Sequence, residues 1–395
     1  QGKSEAEIIE KIDIGGISLI RAAAKNFNDT LIVSSRTQYP AVLELLENKQ
    51  CQSDLADRKR FAAEAFLNTS YYDTQIFNYF NRTEQLPAFA ENFREAKTLR
   101  YGENPHQQGV FYGNLDDVFE ILNGRELSYN NLVDVEAALQ LVAEFDAPTT
   151  AILKHTNSCG LASRDTLAAA YAAAYAGDPT SAFGGVLAVN RIVDVATATQ
   201  MHQLFFEVLA APDYEPEALA LLQQKKNRIL LQLKPGAVFR PVRQAKRLLN
   251  GILEQDADSV SENREQFTTV TQSVPSEQEL TDLEFAIKAV KHLKSNGIAL
   301  VKQQQLIGMG CGQTSRVDAL QSAIKKAREF GFDVRGAVMA SEAFFPFPDC
   351  VQLAHQAGIT AIAQPGGSIK DQDSIDAANA AGISMVLTGV RHFKH

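Results

Sequence analysis

From about residue 95 onward, short apolar runs alternate with longer stretches of helical periodicity. The runs have the length of strands, and several are apolar at nearly every position, which is typical of strands buried on both faces. The predicted strands are TTAILKH (149–155), GGVLAVN (184–190), GIALVKQ (297–303), QLIGMG (305–310), GAVMAS (336–341), GITAIAQ (358–364) and GISMVL (382–387). Helices are predicted between them, at 165–177, 280–296 and 313–330, and one at 196–211 runs into a strand. The alternation predicts layered α/β domains.

The region before residue 95 follows a different pattern, helical and partly polar. A Gly-Gly turn leads into a predicted helix at 13–27, and a short β-type run follows at 30–35. Another helix is predicted at 54–80 and a linker at 86–93. The chain starts with Gln1 and its first methionine is Met201, so we expect a fragment whose first residues already lie inside a domain.

Two stretches of the α/β region resemble one another. ILKHTNSCGLASRDTLAAAYAAA (152–174) and ALVKQQQLIGMGCGQTSRVDALQSAI (299–324) both run from a strand ending in lysine, through Cys-Gly, to an Ala-rich helix. We interpret this as a duplicated α/β unit with insertions that loosen the register.

Composition narrows the class of protein. The 395 residues suffice for two or three domains, and 45% hydrophobic and 22% charged residues are ordinary for a soluble globular protein. The net charge of −9 argues against nucleic acid as the main partner. The four cysteines form no CxxC, which fits a reducing cytoplasm and offers no zinc framework. No apolar run is long enough for a membrane span, so we expect a cytoplasmic protein.

The segment LKHTNSCG (153–160) places Lys154 and His155 at the end of a predicted buried strand, where α/β proteins commonly bind ligands. Histidine suits proton transfer near neutral pH, and an ammonium can stabilise an oxyanion. Both side chains reach one pocket only if the chain turns there, because adjacent strand residues point to opposite faces. Taken alone, a hydrogen-bonded histidine beside a solvated lysine is the simpler explanation.

Two loops offer further ligand-binding groups. LRYGENPHQ (99–107) supplies Arg100 for a phosphate or carboxylate and Tyr101 for stacking, or it is an ordinary surface turn. In DPTSAFGGV (178–186), Gly184 lets the backbone approach a ligand closely, or it forms a tight turn into the next strand.

Two cationic segments lie further along the chain. In SNGIALVK…GMGCGQTSR (295–316), the glycine run resembles a phosphate loop, Arg316 strengthens that interpretation, and Asn296 suits an amide edge. The closing GVRHFKH (389–395) is either a frayed basic tail or a fixed part of a site. The preceding strand and Phe393 argue against fraying.

Three phenylalanines are interleaved with two prolines in SEAFFPFPD (341–349). The prolines exclude a helix interior or a central strand, so this is a loop. Its rings either pack into a small core or subunit interface, or they stack on flat ligands. Together with the cationic and glycine-containing segments, the loop predicts a planar, anionic, amide-bearing ligand, which describes a nucleotide. The Lys-His pair and a second stacking surface favour an enzyme over a plain binding module.

Seven segments in order resemble the bifunctional purine-biosynthesis family that combines AICAR formyltransferase with IMP cyclohydrolase. They are LRYGENPHQ, LKHTNSCG, SAFGGV, SNGIALVK…GCGQTSR, SEAFFPFPD, QPGGS and RHFKH. The resemblance covers residues 92–395 as a transformylase domain. DIGGISLIRAAAKN (13–26) resembles the closing segment of the family's cyclohydrolase domain.

The resemblance implies the fold and the assembly. Residues 1–91 are expected to be the C-terminal portion of a methylglyoxal-synthase-like α/β cyclohydrolase domain plus a linker. Residues 92–275 and 276–395 are expected to be two tandem cytidine-deaminase-like α/β/α units. The zinc-ligand motifs of deaminases are absent from the sequence, so the fold would work without zinc. The resemblance also implies a homodimer with its active sites at the subunit interface.

The resemblance further implies transfer of a formyl group from 10-formyltetrahydrofolate to the 5-amino group of AICAR nucleotide, with cyclisation to IMP in the full-length protein. His155 would transfer the proton and Lys154 would stabilise charge on the formyl oxygen or folate N10. Asn296 and His395 would orient the reacting groups. The implied nucleotide-binding residues are Arg100, Tyr101, Gly184, Glu207, Arg316, Phe344 and Arg391, and the implied folate-side residues are Pro346, Phe347 and Asp349.

The sequence departs from the family at several points. Glu342 stands where some relatives have Asp beside a monovalent-cation (K⁺) site, and Pro348 stands where some have Arg, so cation binding and one folate-side or interface contact stay open. Asp13, Gly15 and Lys25 match cyclohydrolase positions, but the family's domain extends well before Asp13. We therefore expect this chain not to close the purine ring by itself.

Two alternatives stay open from the sequence. A non-catalytic nucleotide-binding or dimerisation module would bind without turnover and would not depend on His155. Another nucleotide-modifying activity on the deaminase-like fold is disfavoured by the missing zinc motifs, and metal analysis separates it.

Overall fold

The computed structural model describes residues 2–237, 239 and 242–395. The chain forms two compact units, Gln1–Thr98 with Val110–Asn114 and Leu99–Gly109 with Leu115–His395. The boundaries expected at 91/92 and 275/276 stay predictions. Within the described ranges, no helix combines the length and the apolar character that crossing a membrane requires.

The first unit is mainly helical. Its elements are α1 (Glu5–Ile9), α2 (Gly15–Lys25), α3 (Tyr39–Asn48), α4 (Leu55–Glu84) and the antiparallel strands β1 (Ala96–Thr98) and β2 (Val110–Tyr112). The helices predicted at 13–27 and 54–80 are confirmed. The β-type structure predicted at 30–35 was wrong, because these residues form neither a helix nor a strand. Instead, Ile32 packs against the buried alanines Ala24, Ala62 and Ala65 between α2 and α4.

The second unit contains two six-stranded sheets. The strands of the first are β3 (Phe119–Asn123), β4 (Thr149–Lys154), β5 (Asn157–Ser163), β6 (Val186–Val189), β7 (Val208–Ala211) and β8 (Ile229–Leu233). Its helices are α5 (Tyr129–Val142), α6 (Leu167–Gly177), α7 (Pro179–Ala182), α8 (Val195–Gln203) and α9 (Pro216–Gln223). The order is β3-β8-β7-β6-β4-β5, with β6, β7 and β8 parallel and the other pairs antiparallel.

A separate antiparallel pair, β9 (Arg243–Leu248) and β10 (Gly251–Asp256), precedes the second sheet. The strands of that sheet are β11 (Thr268–Thr269), β12 (Ile298–Val301), β13 (Leu306–Gly310), β14 (Val338–Ser341), β15 (Ala361–Gln364) and β16 (Ser384–Leu387). Its helices are α10 (Glu277–Lys291), α11 (Arg316–Glu329), α12 (Asp349–Ala357) and α13 (Asp371–Ala381). The order is β11-β16-β15-β14-β12-β13, with β14, β15 and β16 parallel and the other pairs antiparallel.

The two sheets share one topology. Each begins with an edge hairpin, continues through three parallel strands, and ends on an antiparallel edge strand. The predicted duplication of an α/β unit agrees with this arrangement. The hairpin edges meet, since Ala162 forms an antiparallel bridge to Gln305, and the Ser163 N–H donates to the Gln304 carbonyl at 3.0 Å.

Glycines let the helices pack directly on these hairpins. A Cβ on Gly308 would lie 2.3 Å from the Ala323 carbonyl oxygen, and one on Gly310 would lie 1.9 Å from that of Ala319. Both glycines lie inside β13, so the phosphate-loop interpretation of GMGCGQ was wrong for them. They serve the close approach of α11 to the strand.

Candidate active site

The chain turns immediately after Lys154. His155 and Thr156 form the two-residue turn between β4 and β5, with φ of +52° and +64°. Positive φ at both central residues is the turn geometry that fits the twist of a hairpin. His155 is exposed and Lys154 is half-buried. The condition set by the sequence, a turn at this point, is therefore met.

The Lys154 ammonium lies against the loop that precedes β6. Its Nζ donates to the carbonyl oxygens of Phe183 at 2.8 Å and Gly184 at 3.1 Å. Gly184 has φ +67°, and a Cβ there would lie 3.2 Å from Nζ. The exposed rings of Phe183 and Phe205 lie 5.1 Å apart beside it. Sequence reasoning missed this aromatic pair, because Phe205 fell within the helix predicted at 196–211 and only the folded chain brings it beside Phe183.

A carboxylate supports the His155 turn from below. Asp134, on α5, accepts a hydrogen bond from the Thr156 backbone N–H at 2.6 Å. Burial raises the pKa of Asp134, while the Thr156 N–H and the electrostatic effects of His155 and Lys154 act in the opposite direction. The carboxylate therefore fixes the backbone of the turn and lies within electrostatic range of the histidine.

The neighbouring residues of α5 hold two more predicted site segments. Asn131 Nδ2 donates to Glu207 Oε2 at 2.9 Å, and Arg125 Nη2 lies 3.3 Å from the other Glu207 oxygen. Asn130 Nδ2 donates to the Glu103 carbonyl at 3.0 Å, in the loop 99–109. Helix α5 thus ties three separate segments together. Sequence reasoning missed this, although the polar residues of NNLVD (130–134) were a signal.

The loop 99–109 carries the predicted Arg100 and Tyr101. The Leu99 N–H donates to the Gly109 carbonyl at 2.9 Å, and the Gly102 N–H donates to Gln107 O at 2.7 Å, which closes the loop on itself. The exposed Arg100 guanidinium lies 5.0 Å from the centre of the Tyr101 ring. A planar cation next to a ring at the surface suits recognition of a phosphate beside a flat group.

Asn296 and Arg316 form a second, more buried group. Asn296 Nδ2 donates to Gln313 O at 2.9 Å, and its Oδ1 accepts from Arg316 Nη2 at 2.8 Å. The buried Arg316 also donates through Nη1 to Ser341 Oγ at 3.0 Å and to Glu342 Oε2 at 2.6 Å. Its guanidinium is therefore bonded within the protein and fixes the Asn296 amide.

Glu342 is 1% exposed, and its Oε1 has no hydrogen-bond partner among the described residues. A buried carboxylate oxygen of this kind is suited to accept a donor or a cation. Over the same residues, no group of three or more His, Cys, Asp or Glu side chains is arranged to hold a metal ion.

The three phenylalanines of the loop 341–349 have different environments. Phe345 is 0% exposed and belongs to the core of the second sheet, whereas Phe347 is 52% exposed and Phe344 is half-buried. Lys370 Nζ lies 4.6 Å from the centre of the Phe347 ring. Pro346 and Asp349 are exposed. Both interpretations of the loop therefore hold in part, since one ring anchors the loop and the others are available to a ligand.

The end of the chain is ordered against this group. The Arg391 guanidinium lies 4.4 Å from the Phe393 ring centre, and the His395 ring lies 5.6 Å from it. The Ser295 N–H, next to Asn296, donates to the Lys394 carbonyl at 2.9 Å. The segment is a fixed part of the structure rather than a frayed tail.

One contact links the two groups of predicted residues. The Lys294 backbone N–H donates to Asn157 Oδ1 at 3.1 Å, and Asn157 Nδ2 donates to the His155 carbonyl at 2.9 Å. The His155 turn and the Asn296 loop are thus neighbours. A cavity of about 360 Å³, lined among others by Arg328, Arg335 and His355, contains none of the predicted site residues.

The predicted cyclohydrolase residues lie in the first unit. Asp13 Oδ1 accepts from the Gly16 N–H at 2.8 Å, and the Asp13 N–H donates to the Tyr72 hydroxyl at 2.8 Å. Gly15 begins α2 and Lys25 ends it, where a cation stabilises the helix C-terminus.

Comparison with known proteins gives a consistent set of relatives. The family described as AICARFT/IMPCHase bienzyme matches residues 23–326. The bifunctional purine biosynthesis protein PurH of Bacteroides thetaiotaomicron is 55% identical to this chain, over 100% of this chain and 77% of the relative. The protein of the same name in Enterococcus faecalis is 46% identical, over 99% of this chain and 78% of the relative. A solved diaminohydroxyphosphoribosylaminopyrimidine deaminase/5-amino-6-(5-phosphoribosylamino)uracil reductase from Thermotoga maritima covers 27% of this chain and 34% of its own, at 22% identity and a TM-score of 0.20, which is too low to bear on the fold.

Proposed function

We propose that the second unit of this chain transfers a formyl group from 10-formyltetrahydrofolate to the 5-amino group of AICAR nucleotide. The premise is that the chain belongs to the AICARFT/IMPCHase bienzyme family, as the matches to the family and to its members show. The relatives' second activity, cyclisation of the formylated product to IMP, is assigned to the full-length protein. The observation that carries the proposal is the His155 turn, which begins directly after Lys154 and is held by the Asp134 carboxylate.

The reaction needs a base and an oxyanion donor, because the 5-amino group is delocalised toward the ring and the carboxamide and is a weak nucleophile. Its nitrogen attacks the formyl carbon while His155 accepts its proton. Lys154 stabilises the oxyanion; two of the three ammonium donors are directed to Phe183 and Gly184. The C–N10 bond then breaks, N10 receives a proton, and tetrahydrofolate leaves.

Asn296 and His395 orient the reacting groups in this scheme. The nucleotide is held by Arg100, Tyr101, Gly184, Glu207, Arg316, Phe344 and Arg391, and the folate side is lined by Pro346, Phe347 and Asp349. The contacts of α5 support the assignment of Arg100, Tyr101 and Glu207 to the nucleotide, since this one helix positions the loop 99–109, Glu207 and the His155 turn. The buried Arg316 acts on the nucleotide through Asn296, whose oxygen it fixes.

We also propose that two chains assemble with their sites at the interface. The exposure of His155, Phe347 and His395, and of the Phe183–Phe205 pair, supports a site that a second subunit completes. A monovalent cation such as K⁺ is proposed near Glu342, supported by its buried Oε1, for which the described part of the chain provides no hydrogen-bond partner. No zinc takes part in the proposed reaction. The finer fold assignment, two cytidine-deaminase-like units after part of a methylglyoxal-synthase-like domain, is likewise proposed.

The test follows folate absorbance on mixing the chain with AICAR nucleotide and 10-formyltetrahydrofolate. Replacing His155 with alanine should lower kcat by at least about a hundredfold, with a modest loss of nucleotide affinity. His355→Ala, at an exposed histidine of α12, is the matched control. Turnover of His155→Ala within about tenfold of wild type would contradict the mechanism. Identifying the nucleotide product separates formyl transfer from ring closure.

A further inference from the structure

The last five residues of the chain, 391–395, alternate between buried and exposed positions. His392 is buried and Lys394 half-buried, whereas Arg391, Phe393 and His395 are exposed. This period of two is the pattern of an extended segment with one face on the protein. The residues assigned to the active site therefore lie on the outward face, and the two residues between them anchor the segment.

The backbone of this segment is held at two points. The His392 N–H donates to the Glu342 carbonyl at 2.9 Å, beside the phenylalanine loop. The Lys394 N–H donates to Ser295 Oγ at 3.1 Å, while the Ser295 N–H donates to the Lys394 carbonyl at 2.9 Å. These bonds place the segment between the phenylalanine loop and Asn296.

The side chain of His392 provides a third anchor. Its imidazole is 1% exposed, with Nδ1 2.6 Å from Asp258 Oδ2 and Nε2 2.9 Å from Glu262 Oε2. An ionised carboxylate only accepts hydrogen bonds, so both ring nitrogens donate and the ring is an imidazolium. Burial opposes this charge, but the two carboxylates outweigh burial and raise the pKa of His392 to about 9.

The groups around this contact define its pH behaviour. Asp258 and Glu262 come from the segment 257–263, and Lys291 and His292 at the end of α10 act electrostatically on Asp258. Burial opposes ionisation of Asp258, but its bond to His392 lowers the pKa of that carboxyl overall.

From the phenylalanine loop, Glu342 contributes only its backbone carbonyl to His392, because its carboxylate is paired with Arg316. The two carboxylates of the segment 257–263 are thus the groups bonded to the ring.

We propose that His392, held between Asp258 and Glu262, is a positioning residue that keeps Arg391, Phe393 and His395 at the nucleotide site. The inference rests on the proposed formyl transfer for its activity readout. Without the ring contact, the backbone bonds to Glu342 and Ser295 and the bond from Lys394 Nζ to the His292 carbonyl at 3.3 Å still hold the segment. The part around His392 then loses its side-chain anchor, so the neighbouring outward residues are held less firmly. No role in the chemical step is assigned to His392 itself.

The first test replaces His392 with glutamine, which is neutral and carries its donors on one nitrogen, whereas the imidazolium donates from two separate ring nitrogens. We expect hydrogen exchange across residues 391–395 to accelerate by at least about tenfold, and by more than exchange in the rest of the chain. We expect kcat/KM for the AICAR nucleotide to fall by at least about tenfold. His355→Gln is the control, since that histidine is exposed on α12. Unchanged exchange and unchanged kcat/KM in His392→Gln would overturn the proposal.

The second test uses pH and avoids dependence on one variant's folding. The folded-state pKa of His392 is raised above the ordinary 6.5, so the contact is fully present below about pH 6.5 and is lost as pH rises through about 9. The protection of the segment, meaning its exchange rate relative to that of the unfolded peptide at the same pH, should fall across that range, and Asp258→Asn or Glu262→Gln should move the fall to lower pH. Protection that does not change with pH, or no shift in either variant, contradicts the proposal.

Measuring exchange separately from turnover distinguishes two failures. A wild-type chain with a protected segment but no formyl transfer would refute the proposed function and leave the anchoring role of His392 standing. An active wild type whose His392→Gln variant keeps both protection and rate refutes the positioning role alone.

Discussion

Replacing Asp134 with asparagine tests whether the α5 carboxylate holds the His155 turn in its active geometry. The carboxylate accepts from the Thr156 N–H at 2.6 Å, and asparagine keeps an oxygen acceptor but not the charge. A hydrogen bond to a charged group contributes about 1 kcal/mol more than a neutral one. Burial offsets this loss, because it raises the pKa of Asp134 and a neutral amide costs less to bury. The free energy of unfolding should therefore change by less than about 1 kcal/mol.

The rate should respond more than the stability. In the proposed mechanism His155 becomes positively charged as it accepts the proton, and the Asp134 charge favours that state. The weaker turn contact and the lost attraction, about 2 kcal/mol together, should lower kcat about thirtyfold at saturating substrates in the folate absorbance assay.

The second sheet supplies a matched control for this variant. Asp282, on α10, accepts from the Gln303 and Gln304 N–H groups at 2.8 and 2.7 Å, in the β12–β13 turn that has no histidine. Asp282→Asn should lower stability but keep kcat within about twofold. If Asp134→Asn retains kcat within about twofold, or if Asp282→Asn slows the enzyme equally, the argument for Asp134 fails.

Three further outcomes follow from the same contacts. Gly184→Ala and Gly336→Ala both force alanine to a positive φ, and each should lower the free energy of unfolding by about 1–2 kcal/mol. Only Gly184→Ala places a Cβ 3.2 Å from Lys154 Nζ, so only this variant should lower kcat. Equal rates in the two variants would contradict this expectation. Burial lowers the pKa of His292 to about 4, although its partner Glu144 acts in the opposite direction. As pH falls from 6.5 to 4, the unfolded chain therefore binds a proton at His292 that the folded chain does not bind. Urea unfolding should show that about 3 kcal/mol of stability is lost over that range, and His292→Asn should reduce the loss. Arg316→Met leaves the buried Glu342 carboxylate without its ion-pair partner and should lower the free energy of unfolding in urea by about 3–5 kcal/mol. Unchanged stability with reduced nucleotide affinity would instead show that Arg316 binds the nucleotide directly.

The sequence by itself determined the α/β class and the repeat. Apolar runs of strand length separated by Ala-rich helices can be recognised without the tertiary structure, because a strand that is buried on both faces of a sheet is apolar at nearly every position. The same holds for Lys154 and His155, which the sequence placed at a strand end, where the chain must leave the sheet. The ordered series of motifs indicated the family.

Only the tertiary structure decided which polar residues act together. The asparagines and Asp134 of α5 look like an ordinary polar helix face until Glu103, Glu207 and Thr156 are brought against them from positions 27, 76 and 22 residues away along the chain.

The tertiary structure also decided what individual residue types do. Gly308 was expected to approach a phosphate, but it lets α11 approach a strand, because a missing Cβ permits either contact. Of the loop phenylalanines, Phe345 lies in the core and Phe347 at the surface, although their sequence surroundings are alike. His392 differs from His155 and His395 by its two carboxylate partners, which lie 134 and 130 residues away along the chain. Local patterns record burial and backbone shape, whereas a side chain's partner is fixed by contacts that form only when distant segments fold together.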